Sequence, residues 1–287
     1  MKQFDKKKIL NRIIYLILIL LIILSSAYIV KSFASKIEAT KEKDLLNSVT
    51  VEEVIENEEE NINNSEINNQ NVGEKSKEET NKEENNQEKQ QDSLKRIAQI
   101  KKLKEEYKNI IGWIEIKDTN ISYPVVQGED NEFYLTHDYK GDKAERGAIF
   151  LDSNYDWNIS GNNFMLYGHY MLNDEMFTDL TKYVKEDFYK EHPTIRFTTE
   201  NENAEYDIIA VFRSKVYNKS DKDVFKYYQF INSGSEKEYN NFIKNIKEAS
   251  LYEIEETAKY GDQLITLTTC SYHTEDGRFV VVGRKRI

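Results

Sequence analysis

The chain has 287 residues and a single cysteine, Cys270, which rules out an internal disulfide. Its 51 acidic and 40 basic residues leave a net charge of −11. No basic stripe with interleaved aromatic residues occurs, so nucleic acid is not among the expected partners. The charge is uneven: residues 1–37 carry +6, residues 38–93 carry −11, and the remainder is near −6. The acidity belongs mostly to one segment and does not describe a folded surface.

Taken from the N-terminus, Ile9 to Val30 is apolar apart from Asn11, Arg12, Tyr15, Ser25, Ser26 and Tyr28. Residues 13–30 approach the ~20 needed to cross a bilayer core. Lys2, Lys6, Lys7, Lys8 and Arg12 precede this stretch, and Lys31 and Lys36 follow it. The positive-inside rule then predicts a cytoplasmic basic N-terminus (1–12), a transmembrane anchor in membrane lipid (13–30), and everything later outside the cell. A cleaved signal peptide ending near Ser32, Phe33 and Ala34 is the rival reading. Its apolar region would run only ~7–15 residues, shorter than this stretch.

Residues 38–92 contain no aromatic residue and no proline, and are rich in Glu, Asn, Lys and Gln. Such a stretch buries too little apolar area to offset its chain entropy. The expectation for 31–92 is a disordered, acidic, extracellular spacer with a reach of about 40 Å, broken at most by a short helical patch at Val49–Ile55.

From residue 93 to 287 the pattern is that of a folded domain. Ser93 is a possible cap for a helix carrying Leu94, Ile97, Ile100, Leu103, Tyr107 and Ile110 at helical spacing. Short β-type runs follow at Trp113–Ile116, Ile121–Gln127, Ala148–Leu151, Asn163–Tyr167, Thr194–Thr198, Glu205–Val216, Gln263–Thr269 and Arg278–Lys285. Two helical signals interrupt them, over Glu175–Tyr189 and over Ser235–Ser250. The second opens with Ser235 and Glu238 spaced as a capping box. Many strands and few helices predict a mainly β fold, a barrel or a sandwich.

Cys270 ends one apolar β-branched run and Arg278 opens the next. A cysteine nucleophile needs a proton-transfer partner and an oxyanion ligand. Among His137, His169, His192 and His273, only His169 follows an apolar strand through a glycine, a position suited to a site residue on a rigid scaffold. The bland alternative is a packed histidine beside a buried thiol, and for Arg278 a solvated strand end. His137 reads as a surface loop residue, and His192 as a helix-end residue. Arg284 and Arg286 read as solvated edge positions. Cys270 and His273 have Cys-x-x-His spacing, but one cysteine and one histidine do not close a zinc site. No metal or cofactor is expected.

Thr266-Leu-Thr-Thr-Cys270, then Tyr272 and Gly277-Arg278-Phe-Val-Val, resembles the cysteine-to-arginine signature of sortases. Tyr167-Gly-His-Tyr-Met171, with Met176, Phe177 and Leu180, resembles the histidine segment of class B sortases. The resemblance covers about 94–287, including the helix ahead of the cysteine strand. It implies an eight-stranded sortase-type β-barrel with N-terminal helices, and a catalytic set of His169, Cys270 and Arg278. It further implies a membrane-anchored transpeptidase of Gram-positive bacteria. Such enzymes cut a C-terminal sorting signal after its threonine, through a thioester, and pass the acyl group to an amine. The implied partners are surface proteins bearing sorting signals, in class B generally ones beginning Asn-Pro, and a peptidoglycan precursor or pilin amine. Asn131, Tyr167, Thr268, Tyr227 and Tyr228 are the candidate substrate contacts, although Thr268 is equally explained as barrel packing. The chain departs from the family at Ser271, where an acidic residue is common. A thiol hydrolase using water, and a tethered non-catalytic ectodomain, are the alternatives.

Overall fold

The computed structural model describes residues 2–49, 77–159, 163–272 and 274–286. The chain forms two compact units, Met1–Asp44 and Leu45–Ile287. Helix α1 (Lys2–Ser48) makes up the first and reaches into the start of the second. Its stretch Lys8–Ala34 is 27 residues long and unburied. At ~1.5 Å per residue it spans about 40 Å, more than the ~30 Å of bilayer hydrocarbon. Apolar side chains such as Ile13, Leu16, Ile19 and Leu20 stand exposed along it. The helix is therefore long and apolar enough to cross a membrane.

The spacer expected at 31–92 is helical over residues 31–48 and 77–92. Helix α1 continues to Ser48, and α2 (Lys77–Glu106) begins well before Ser93, which is consequently a helix-interior residue and not a cap. Glu, Lys and Gln argue against a core, but they are also good helix formers. The last turn of α1 adds packing of its own. Leu46 is buried in one cluster with Ile100 and Leu103, and Gln99 Nε2 donates to the Leu46 carbonyl at 2.9 Å. Residues 50–76, which include most of the Val49–Ile55 patch, lie outside the described residues.

The second unit is built on a closed barrel of eight strands in the order β1-β2-β3-β4-β7-β8-β6-β5. In chain order these are β1 (Ile110–Glu115), β2 (Ser122–Gln127), β3 (Ile149–Leu151), β4 (Asn163–Tyr167), β5 (Thr194–Thr199), β6 (Asn203–Lys215), β7 (Leu264–Cys270) and β8 (Gly277–Lys285). They correspond one for one to the β-type runs of the sequence. Ile114 enters the barrel core, while Ile110 and Trp113 join Ile100 and Leu103 beneath α2, a register irregularity between Ile110 and Gly112 breaking the simple alternation. Both faces of β1 are thus covered, and its burial does not alternate.

The helical signal at Glu175–Tyr189 resolves differently, into 3-10 turns over Thr178–Val184 and a short helix α3 (Glu186–Glu191). Asp174 and Met176 hold positive φ, of 61° and 56°. Thr178 Oγ1 bonds the Met171 N–H and the Met171 and Glu175 carbonyls. Side-chain capture of the backbone here competes with a regular α-helix. By contrast α4 (Glu236–Ala249) follows its signal closely. The Ser235 hydroxyl accepts the Glu238 N–H, and Tyr239, Phe242, Ile243 and Ile246 are buried.

Two strand pairings among β4, β7 and β8 create the functional rim. β4 and β7 run parallel, so their C-terminal ends emerge side by side. β8 is antiparallel to β7, so its first residues lie at the same end.

Candidate active site

Cys270 is the last residue of β7 and pairs across the ladder with Arg278. On the other side of β7, Tyr167 pairs with Thr268, and the Gly168 N–H donates to the Thr268 carbonyl at 3.2 Å. His169 is the next residue. The thiol, the imidazole and the guanidinium therefore come from three adjacent strand ends, and they line one cavity of about 270 Å³. That volume lies just below the ~300–1,000 Å³ of typical ligand sites, suiting part of an extended peptide better than a large cofactor. The same cavity is lined by Asn131, Tyr167, Tyr227, Tyr228 and Thr268. All eight residues singled out from the sequence meet there.

The approach of His169 depends on Gly168. A Cβ at Gly168 would lie 2.4 Å from Ile149 Cδ1 and 2.7 Å from the Phe177 ring. Past the glycine, His169 Nε2 lies 2.7 Å from the Leu135 carbonyl. A carbonyl only accepts, so Nε2 carries hydrogen. The neutral ring then holds its lone pair on Nδ1, which makes Nδ1 the nitrogen that can take or give a proton. Leu135 closes a 3-10 turn, Phe133–Leu135. The thiol of Cys270 is free and partly exposed.

Arg278 Nη1 donates to the carbonyls of Gly277 at 3.0 Å and Asp276 at 3.2 Å. Among the described residues no carboxylate pairs with it, so its charge is not cancelled. Its field is felt by two tyrosines of the cavity. Burial pushes the Tyr227 phenol up to about 12, against the opposing Thr268 hydrogen bond and the Arg278 charge. Burial and the neighbouring Asp152 push Tyr167 higher still, with Arg278 again opposing. Both rings stay neutral at physiological pH. Tyr227 OH and Thr268 Oγ1 are 2.7 Å apart, so the hydroxyl of this 2 %-exposed threonine is engaged by the wall of the cavity. Tyr228 OH accepts the Tyr217 N–H at 3.1 Å.

Two further groups that the sequence did not reveal bear on the lining: Asp152, behind Asn131 and Tyr167, and the Leu135 carbonyl. Asp152 is buried directly after β3, and its carboxylate takes hydrogen bonds from Tyr167 OH at 2.8 Å and Asn131 Nδ2 at 2.9 Å. It sits in a Leu-Asp-Ser-Asn run that reads as an ordinary turn. The Leu135 carbonyl is a main-chain atom and has no side-chain signal at all.

Two other histidines lie elsewhere. His137 stacks on Phe133 at 4.0 Å between ring centres. His192 caps α3, its N–H bonding the Phe188 and Tyr189 carbonyls. His273 lies outside the described residues. Arg284 is half-buried and pairs with Asp207, whereas Arg286 is exposed as expected and pairs with Asp207 and Glu205.

A closed barrel thus presents a thiol, an imidazole and a guanidinium on one rim, a set suited to nucleophilic acyl chemistry. The sortase domain family model matches residues 114–286. Sortase B of Listeria monocytogenes is 33 % identical over 188 residues, 65 % of this chain and 73 % of that protein. Among solved structures, Clostridium perfringens sortase B superposes with a TM-score of 0.59 at 30 % identity, over 65 % of this chain and 99 % of the other. A Staphylococcus aureus sortase B–substrate complex gives 0.58 at 27 % identity, over 66 % of this chain and 84 % of the other. The chain belongs to the sortase family, within its class B.

Proposed function

We propose that this class B sortase cleaves a C-terminal sorting signal after its threonine and transfers the new acyl end to an amine of a peptidoglycan precursor or a pilin. The observation that carries the reading is the meeting of Cys270, His169 and Arg278 at one cavity from three neighbouring strand ends. Cys270 gives its thiol proton to His169 Nδ1 as Sγ attacks the threonine carbonyl. Arg278 stabilises the oxyanion with charge-assisted hydrogen bonds. His169, anchored through Nε2, delivers a proton from Nδ1 to the leaving amine, and a thioester remains. The incoming amine loses its proton to the same nitrogen as it displaces the thiolate. Asn131, Tyr167, Thr268, Tyr227 and Tyr228 form the walls against which the signal lies. A relative of this chain has been solved as a substrate complex, which supports a peptide groove of this kind. The apolar stretch Lys8–Ala34 anchors the enzyme in the cell membrane as a single span. The basic residues ahead of it keep the N-terminus cytoplasmic and the catalytic domain outside.

The test is cleavage of a fluorogenic sorting peptide. Cys270→Ala leaves background turnover. Arg278→Ala loses at least about a hundredfold, the usual cost of one oxyanion donor. With a diamino acceptor present, mass spectrometry finds the amide and not only the hydrolysed acid. Near wild-type turnover in either variant contradicts the mechanism, and an acid product alone makes the enzyme a hydrolase.

A further inference from the structure

A carboxylate that is 3 % exposed is costly unless its charge is answered. Among the described residues no lysine or arginine forms an ion pair with Asp152. Its charge is met by four hydrogen-bond donors. Oδ1 accepts the Asn154 N–H and Asn154 Nδ2, each at 2.9 Å. Oδ2 accepts Asn131 Nδ2 at 2.9 Å and Tyr167 OH at 2.8 Å. The first oxygen is thus used within the local turn. The second reaches two residues of the cavity wall that come from other parts of the chain.

The orientation of Asn131 follows from these partners. The Ser153 N–H donates to Asn131 Oδ1 at 2.8 Å, and that group can only donate. Asp152 Oδ2 can only accept. The amide therefore has one allowed orientation, with its oxygen on Ser153 and its nitrogen on Asp152. One N–H of Asn131 remains after these bonds, on a residue that lines the cavity. The phenolic hydrogen of Tyr167 is likewise committed to Asp152, so Tyr167 offers the cavity its ring and an oxygen lone pair. An asparagine at 152 could not do this, because its NH2 would face two of the four donors.

We infer that Asp152 is a positioning residue for the peptide substrate: it fixes the Asn131 amide so that the remaining N–H donates to a backbone carbonyl of the sorting signal, and it fixes the Tyr167 ring as the adjoining wall. The inference rests on the reading of the cavity as a peptide groove. Asp152 acts through its neighbours and touches no reacting atom.

The test uses binding, so that it does not depend on turnover. A fluorescently labelled peptide carrying Asn-Pro-x-Thr is titrated against the Cys270→Ala protein by anisotropy, and Asp152→Asn, Asn131→Ala and the pair are added to that background. Each single change weakens binding about tenfold, and the pair weakens it no more than the worse single change, since both remove the same contact. Melting curves establish that each variant is folded at the assay temperature. A folded Asp152→Asn protein that binds within about twofold of its parent overturns the inference, as does a pair near a hundredfold, which signals independent effects. Should Asp152→Asn not fold, Asn131→Asp probes the same contact from the more exposed side. Two facing carboxylates weaken binding below the Asn131→Ala level at neutral pH, and binding returns to that level below about pH 5, where the pair shares a proton. No pH dependence beyond that of the parent overturns the inference. A parent protein that binds no peptide contradicts the groove itself and the inference with it. Binding by the parent but not its loss in the variants defeats the inference alone.

Discussion

At the scale of single residues, Gly168 carries the most exacting demand. It lets β4 pass close to Ile149 and Phe177 so that the next residue, His169, reaches the Leu135 carbonyl. Gly168→Ala puts a methyl where neighbouring carbons lie within 2.4–2.7 Å. Overpacking of this kind costs about 1–3 kcal/mol and shifts the backbone. The expected outcome is a fall in kcat/KM of at least about tenfold for a sorting peptide in a protein that still folds. Unchanged kcat/KM would show that the imidazole does not depend on this approach. The three residues of the proposed catalytic set were legible because each sits where a β-type run starts or stops, and side-chain chemistry at such points stands out. Asp152 was not legible, because only the closed barrel brings the turn after β3 to Asn131 and Tyr167. The imidazole's partner was invisible for a different reason: it is a carbonyl, which every residue possesses.

At the scale of elements, strand positions could be read from β-branched runs, whereas their pairing could not. The parallel contact between β4 and β7 joins residues about a hundred positions apart, and no local pattern encodes it. Helix limits were missed where Glu, Lys and Gln serve both solvation and helix formation, as in the first half of α2. The short turn Phe133–Leu135 is the element on which His169 hangs, and Asp130 caps its start. Asp130 Oδ1 accepts the Glu132 and Phe133 N–H groups, both at 2.8 Å, and these bonds hold the carboxyl below its ordinary 3.8. A lowered folded value means that the stabilisation is fully present above the unfolded pKa and is lost as pH falls through the folded one. In NMR titrations the Glu132 and Phe133 amide protons should shift together, with a midpoint below 3.8. A midpoint at or above that value would show that the cap does not form.

For the whole molecule, the division after Asp44 separates the apolar helix from the barrel unit. Because the cavity is lined wholly by barrel-unit residues, a chain beginning at Leu45 should pellet no longer with membranes. Its kcat/KM for a soluble peptide should stay within about twofold of the full chain, as expected of a domain with its own core. Loss of activity on removing 1–44 would mean that the catalytic unit depends on the helix. The central claim concerns a single bond, between Cys270 and the threonine carbonyl of a sorting signal. Acid-quenching the enzyme during turnover and measuring its intact mass tests that claim most directly. The account predicts a mass gain equal to the peptide's N-terminal part through threonine, mapped to the fragment containing Cys270 and discharged by added amine. Continued turnover with no such adduct, or an adduct on another residue, would contradict it.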